Sequence, residues 1–486
     1  MDLIARIERW ATDWPDKAAF VRGDRVLTYE SLRDGSDALA AWLLGRGPDD
    51  RSPVVIHGHK EPEMLVGFLG ALKAGRPYVP VDAAVPRQRL ERIVEVARAD
   101  VVLTPAHLAE ISSNPVRQSR RPDVAEDSPA YVMFTSGSTG EPKGVVITHG
   151  NLASFLDWLV DEQAPRDDDV FLNQVPYSFD VSVMDTFQAL LAGATVFSVT
   201  HDEIASPKRL FESLSASGLT VWVSTPSFAQ ICLSEPQFQR EMLPHLRKLL
   251  FCGETLPPGV AEQLVDRFPG AELWNTYGPT EATVATTSIR IDGGILGTYS
   301  PLPIGRAMRG TRVEVLDPTL RPVGPMERGE IVIAGPNVSP GYLHRPDLTA
   351  RSFFVLDGAP AYRTGDWGHH QDGLLFCDGR MDSQVKLHGH RIELGDVEAN
   401  LRALPRVRDA VVLPIRRGGV VDALIACVLL TGERQGTDFE EANRLRSLLA
   451  MRVPAYMIPR RFRFFDALPM TINGKADRRE LERLVT

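Results

Sequence analysis

The chain has 486 residues, too many for one ordinary core; at ~150 residues per domain it holds about three lobes. Hydrophobic residues make up 43% and charged residues 24%, the balance of a globular protein, and a net charge of -9 argues against nonspecific binding to nucleic acid. Four cysteines (Cys232, Cys252, Cys377, Cys427) lie far apart with no zinc-like spacing, which fits free thiols in a reducing compartment.

In chain order, the first ten residues, Met1 to Trp10, carry charges where a signal peptide needs an apolar stretch, and read as an amphipathic helix. No apolar run approaches the ~18 to 20 residues of a membrane helix, so a cytoplasmic protein without a membrane span is expected. Val54-Val-Ile56, a helical stretch from Glu61 to Ala74 and Tyr78-Val-Pro-Val81 give a β-α-β rhythm. The rhythm recurs from Val170 to Val199, around a helix from Asp180 to Leu191, and again from Leu219 to Phe251. A layered α/β domain follows.

After about residue 300 the texture changes to short alternating runs such as Thr311 to Leu316 and Glu330 to Ala334, which predict a small antiparallel barrel or sheet. Beyond Asp382 lies a separate α+β unit: strand 383–387, helix 394–403, strands 409–413 and 426–430, and a helix near 439–451. The expected domains are therefore 1–381 and 382–486.

One loop concentrates chemistry. Thr135, Ser136, Gly137, Ser138, Thr139 and Gly140 follow an apolar run and precede Lys143; glycines let backbone N–H groups face an anion, and hydroxyls add donors. A Walker A loop needs Ser or Thr after Gly-Lys, whereas Lys143 lies between Pro142 and Gly144, which excludes a P-loop kinase. Taken alone, such a run is also an ordinary surface loop.

The order T-S-G-S-T-G-x-P-K-G resembles the adenylate-forming superfamily, which holds acyl-CoA synthetases, luciferases and amino-acid adenylation enzymes. The series continues through Leu72 to Asp82, Tyr277-Gly-Pro-Thr-Glu281, Tyr362 to Asp366, Gln384 to Leu394 and Asn473-Gly-Lys475, so the likeness covers essentially the whole chain. It implies a large N-terminal domain that binds ATP and an acid, and a mobile C-terminal domain turning about Asp382.

By resemblance, Asn275, Thr276, Tyr277, Gly278, Pro279 and Thr280 take adenine and its surroundings, and an amide with a phenol ring suits that base. Asp366 resembles the ribose-binding acid, with Cys377, Asp378, Gly379 and Arg380 beside ribose and α-phosphate. Glu281 is the expected Mg²⁺ ligand, because the hard cation on a triphosphate prefers oxygen. Lys475 matches the catalytic lysine. A carboxylate attacking the α-phosphate brings two anions together, and a cation at the bridging oxygens offsets their repulsion.

The acid is read from a second set of residues. Asp180 stands where amino-acid adenylating domains keep a carboxylate for the substrate ammonium, a charge whose burial needs a partner; by position alone it also suits a helix cap. Val181, Met184, Ser227, Leu250, Cys252, Thr276, Val284 and Ala285 complete the carried-over pocket, and Lys475 also reaches the acid. Their medium-sized apolar side chains predict a small neutral amino acid.

The stretches Thr225 to Phe228, Phe251 to Thr255 and Asn275 to Ala285 resemble stand-alone D-alanine:D-alanyl carrier protein ligases in particular, where a cysteine at the Cys252 position favours the D form. Val181 departs from the leucine expected there, which leaves D- and L-alanine both open, with glycine or serine of related natural-product enzymes. No carrier-protein segment follows Thr486 and no condensation domain precedes Met1, so the acceptor is expected in trans: a separate phosphopantetheinylated acyl or peptidyl carrier protein, with CoA as the alternative. An acyl-CoA synthetase and a silent nucleotide-binding module are the competing readings.

Overall fold

Short runs of β-branched residues bounded by Gly, Pro and polar turns become buried parallel strands, because such side chains pack well on a pleated sheet covered on both faces. In the computed structural model, residues 2–114, 121–136, 141–381, 384–387, 389–417, 420–432, 436–469 and 476–485 are described. The chain divides into two units: residues 1–82, 97–133 and 144–381 form the larger, and residues 83–96, 134–143 and 382–486 the smaller.

The larger unit contains a nine-stranded sheet. Its parallel centre runs Glu272–Tyr277, Lys248–Phe251, Val221–Ser224, Val170–Asn173, Thr195–Ser198 and Ala18–Arg22, flanked by antiparallel strands. A six-stranded sheet contains Val54–Gly58, Tyr78–Asp82 and Pro129–Thr135, with Lys143–Thr148 beside them. Between Val54–Gly58 and Tyr78–Asp82 runs helix Glu63–Lys73, so the expected β-α-β unit is present with parallel strands. Helix Val181–Ala192 likewise links Val170–Asn173 to Thr195–Ser198.

One apolar core joins residues of both sheets, from Ile56 and Tyr78 to Met184, Leu250 and Val284. Helix Leu3–Asp13 buries Leu3, Ile4, Ile7 and Ala11 against it, the spacing of one helical face. A second core containing Trp222, Phe238 and Leu249 also draws on strands of the nine-stranded sheet. The region after residue 300 forms a five-stranded antiparallel sheet from Arg312–Leu316, Gly329–Ala334, Phe353–Leu356, Ala359–Gln371 and Leu374–Arg380.

In the smaller unit, hairpin Gln384–Leu387 and His390–Glu393 leads into helix Leu394–Arg402, then a sheet of Val407–Arg417, Val420–Leu430 and Arg461–Phe465. The two long strands outrun the expected 409–413 and 426–430, because their pairing continues through Pro414, Ile415 and Arg416 beyond the apolar runs. Helix Asp438–Leu449 starts from a reciprocal cap in which Thr437 and Glu440 exchange backbone bonds. Among the described residues no helix is long and apolar enough to cross a membrane.

Candidate functional site

In a parallel sheet, backbone and side chains beyond the carboxyl ends of adjacent strands converge on one crevice, the usual place for a ligand. Strands Val221–Ser224, Lys248–Phe251 and Glu272–Tyr277 are neighbours in register, Ser224 opposite Phe251 and Phe251 opposite Asn275. The register brings three expected pocket positions to the same edge: Ser227 in helix Pro226–Leu233, Cys252 just past its strand, and Thr276 near the end of its own. Ser227 N–H donates to Glu254 Oε2 (3.1 Å), and Thr276 Oγ1 donates to the Phe251 carbonyl (2.9 Å).

Val181, Met184, Leu250, Cys252, Val284 and Ala285 are all buried in the shared core. The Cys252 thiol donates to the Val284 carbonyl at 3.8 Å, so two expected pocket residues touch. Gly253 has φ +91°, and a Cβ there would stand 3.6 Å from Val181 Cγ2, which places Val181 against the same turn. Asp180 precedes helix Val181–Ala192 with its side chain making no capping hydrogen bond. Nearby, the Tyr131 hydroxyl is buried without a hydrogen-bond partner, and its pKa is raised well above the ordinary tyrosine value by burial, then by Tyr78 and Asp180.

The expected nucleotide residues form a second group. Asp366 and Arg380 are directly opposite in the antiparallel ladder. Asp366 Oδ1 accepts from Arg380 (3.1 Å), and its Oδ2 accepts from the Tyr277 hydroxyl (2.5 Å). Burial, with Asp366 next, raises the Tyr277 pKa well above its ordinary value, so the phenol remains a donor. Asn275 Nδ2 donates to the Pro303 carbonyl (2.8 Å). Gly278 is required by close approach: a Cβ would lie 2.6 Å from Ala285 Cα. Pro279 precedes the single turn Thr280–Ala282, which carries Glu281. Glu281 is wholly buried, and its Oε1 accepts from Tyr342 (2.8 Å). Cys377, Asp378 and Gly379 share strand Leu374–Arg380, where Asp378 Oδ2 lies 2.9 Å from His369 Nδ1.

Of the anion loop, Thr135 ends strand Pro129–Thr135, and its Oγ1 is buried without a partner. Within the smaller unit Ser136 Oγ donates to the Arg391 carbonyl and accepts from Glu393 N–H, both at 3.0 Å. Lys143 opens strand Lys143–Thr148. Gly137, Ser138, Thr139, Gly140, Asp382 and Lys475 lie outside the described residues.

Two polar clusters escaped the sequence reading. Lys60, wholly buried, donates to Asn173 Oδ1 (2.7 Å) and the Val175 carbonyl (2.5 Å), while Asn173 Nδ2 donates to Asp185 (2.8 Å) on the helix of Asp180. Burial lowers the Lys60 pKa and raises that of Asp185. Nothing in the sequence around Lys60 signals its burial. The other cluster is His59, Asp82 and His201, whose donor atoms lie within 4.8 Å. His201 N–H donates to His59 Nε2 (3.2 Å), so the His59 proton resides on Nδ1, facing Asp82 at 2.7 Å. A cation would have to displace that proton, and the cluster reads as a hydrogen-bonded one.

Residues 7–343 match the AMP-binding enzyme family, and residues 396–475 match the AMP-binding enzyme C-terminal domain. Over its whole length the chain is 46% identical to the whole of a D-alanine–D-alanyl carrier protein ligase of Bacillus cytotoxicus, and 45% identical to the whole of the protein of the same name from Bacillus mycoides. Among solved structures it is similar to an artificially fused adenylation and PCP di-domain protein, NpsA-ThdA, from Klebsiella oxytoca. The TM-score there is 0.83 at 25% identity, over 95% of this chain and 93% of that one. The fold also matches the Vibrio cholerae adenylation domain AlmE in complex with glycyl-adenosine-5'-phosphate, with a TM-score of 0.86 at 23% identity over 99% and 97% of the two chains.

Proposed function

The chain belongs to the AMP-binding enzyme family, and from that premise we propose that it is an AMP-forming ligase for D-alanine and a separate carrier protein. In the first half-reaction a carboxylate oxygen of D-alanine attacks the α-phosphorus of ATP, and the bond to the β-phosphate oxygen breaks. D-Alanyl-AMP forms and pyrophosphate leaves. In the second, the phosphopantetheine sulfur of the carrier, its proton lost, attacks the acyl carbon; the C–O bond to phosphate breaks and AMP leaves.

The observation that carries the reading is the half-buried Asp180 carboxylate at the head of a helix whose Val181 and Met184 join Leu250, Cys252 and Val284 in one buried apolar cluster. Such a cluster suits a methyl side chain, and such a carboxylate suits an ammonium. Full-length identity to D-alanine–D-alanyl carrier protein ligases supports D-alanine among the small amino acids.

The remaining roles are those the family resemblance implies, and the chemistry of the residues suits them. Thr135 to Gly140 and Lys143 hold the β- and γ-phosphates, with Thr135 Oγ1 an unused buried hydroxyl at the mouth of the loop. Asn275 to Thr280 border adenine, and Asp366, oriented by Tyr277 and Arg380, receives the ribose hydroxyls. Glu281 offers a hard carboxylate oxygen fixed by Tyr342, a fit for Mg²⁺, which neutralises phosphate charge when bound. Lys475 bridges the attacking and leaving oxygens. Residues 1–381 act as the binding core, and 382–486, turning at Asp382, withdraw Lys475 before the thiol arrives. Use of ATP supports a cytoplasmic location for the reaction.

The test is amino-acid-dependent exchange of labelled pyrophosphate into ATP with D-alanine, L-alanine, glycine and L-serine. D-Alanine is expected to give the highest kcat/KM. A preference for a bulky or acidic amino acid overturns the reading.

A further inference from the structure

Two consecutive β-branched residues, Thr283 and Val284, adopt φ of +55° and +67° directly after the turn that carries Glu281. For such residues the left-handed region is a steric outlier, tolerated where surrounding contacts over-determine it. Ala285 N–H donates to the Thr283 carbonyl at 2.8 Å, an i to i+2 bond around Val284, which marks a γ-turn of the rare, strained positive-φ kind. This kink turns the Val284 carbonyl to the Cys252 thiol.

The kink is bridged by one side chain. Asn337, wholly buried, donates through Nδ2 to the Ala282 carbonyl (2.9 Å) and to Thr286 Oγ1 (3.0 Å), the residues flanking Thr283 to Ala285. Its Oδ1 accepts from Thr311 Oγ1 (2.7 Å), and its backbone carbonyl accepts from Thr283 Oγ1 (2.7 Å). Asn151 Nδ2 in turn donates to the carbonyls of Pro336 (2.7 Å) and Val338 (3.0 Å), so the segment bearing the clamp is itself tied down. Ser339 N–H donates to the Glu281 carbonyl (2.9 Å) from the same segment. The Asn337 amide thus satisfies both its N–H groups and its oxygen, with each N–H on one end of the strained turn.

We infer that Asn337 is a positioning residue for the amino-acid pocket: it holds Thr283 and Val284 in the left-handed conformation that presents Val284 to Cys252. This deepens the reading proposed above and rests on it for the substrate. A merely structural asparagine lowers stability without changing recognition. A positioning asparagine changes the fit of the smallest substrates, because a displaced pocket wall loosens the grip on a methyl group.

The experiment compares Asn337→Ala, Thr283→Gly and the double variant, with Asn337→Ser in place of the alanine variant where that does not fold. Glycine pays no steric penalty at positive φ, so Thr283→Gly removes the strain at Thr283 and leaves the clamp only that at Val284 to hold. Asn337→Ala is expected to raise KM for D-alanine on the order of tenfold and to narrow the preference for D-alanine over glycine, with kcat less changed. The double variant regains part of the loss, the share that the strain at Thr283 contributes. Hydrogen exchange at the Ala285 and Thr286 amides accelerates in Asn337→Ala and is partly restored in the double variant. An unchanged KM and unchanged preference in a folded variant overturn the inference, as does failure of Thr283→Gly to rescue. If the parent chain activates no amino acid, the D-alanine reading falls, and the clamp is decided by amide exchange: unchanged protection at Ala285 and Thr286 overturns it.

Discussion

Asp180→Asn separates charge from capping. Asparagine caps helices about as well as aspartate, so any capping role survives the substitution while the partner of a substrate ammonium is lost. Truncating one side of a hydrogen-bonded charge pair costs about 2 to 5 kcal/mol when the pair is desolvated. Asp180 is half-buried, and solvent screening moves the expectation to the low end, about 2 to 3 kcal/mol, or ~30- to 150-fold in kcat/KM for D-alanine. KM for ATP stays within about threefold, since the loss is confined to the ammonium. Stability changes little: the side chain makes no capping hydrogen bond, and the charge–dipole contribution at a helix start is ~0.3 to 1 kcal/mol, no more than ~3 °C in Tm. Pyrophosphate exchange with D-alanine and ATP varied independently, beside thermal unfolding of Asp180→Asn and Asp180→Ala, provides the measurement. If Asp180→Asn keeps kcat/KM within threefold of the parent while Asp180→Ala loses stability, Asp180 is a cap and the substrate argument is refuted.

Gly278→Ala pushes a Cβ to 2.6 Å from Ala285 Cα and 2.9 Å from both Thr286 N and the Val284 carbonyl, all backbone, so the turn must move. Steady-state kinetics should then show kcat/KM down at least ~10-fold for both ATP and D-alanine, and parent-like values would contradict the packing. Asp169 is buried; burial opposes its ionisation, but bonds from Arg247, the Arg166 N–H and Thr220 prevail and hold its pKa below the usual carboxylate range. A depressed folded pKa gives stability present above the unfolded value of ~3.9 and lost as pH falls through the folded one. Asp169→Asn should therefore unfold more easily than the parent at neutral pH, with the gap in Tm closing below pH ~4; a gap independent of pH refutes the linkage. Lys475→Ala should lower kcat for pyrophosphate exchange by about 3 to 4 kcal/mol, ~150- to 1,000-fold, while thiol loading from pre-formed D-alanyl-AMP persists; equal loss in both half-reactions counts against withdrawal of the lysine.

The parallel units were legible because β-branched runs separated by helical spacing declare themselves locally: Val54–Gly58, Glu63–Lys73 and Tyr78–Asp82 fall within two residues of the expected bounds. The loop from Thr135 to Lys143, Tyr277 to Glu281 and Asp366 stand out in the sequence for a different reason: their residue types in that order match one family, and the roles proposed for them come with that match. What remained hidden is polar and long-range. Nothing local distinguishes Thr283-Val284 from a strand-forming pair, and their left-handed conformation is held by Asn337, 54 residues away from Thr283. Lys60 reads as a surface lysine in a charged stretch, yet it is wholly buried because Asn173, 113 residues on, accepts its ammonium. Asp180 shows the two kinds of information meeting. Its place at a helix start was readable, but the same sequence suits a cap and an ion-pair partner equally. The side chain makes no capping hydrogen bond, which no periodicity or propensity records, and the Asp180→Asn comparison separates the two roles. Side chains whose partners lie far along the chain are thus visible only in three dimensions, as with Asn337, whose amide bonds span residues 282 to 311.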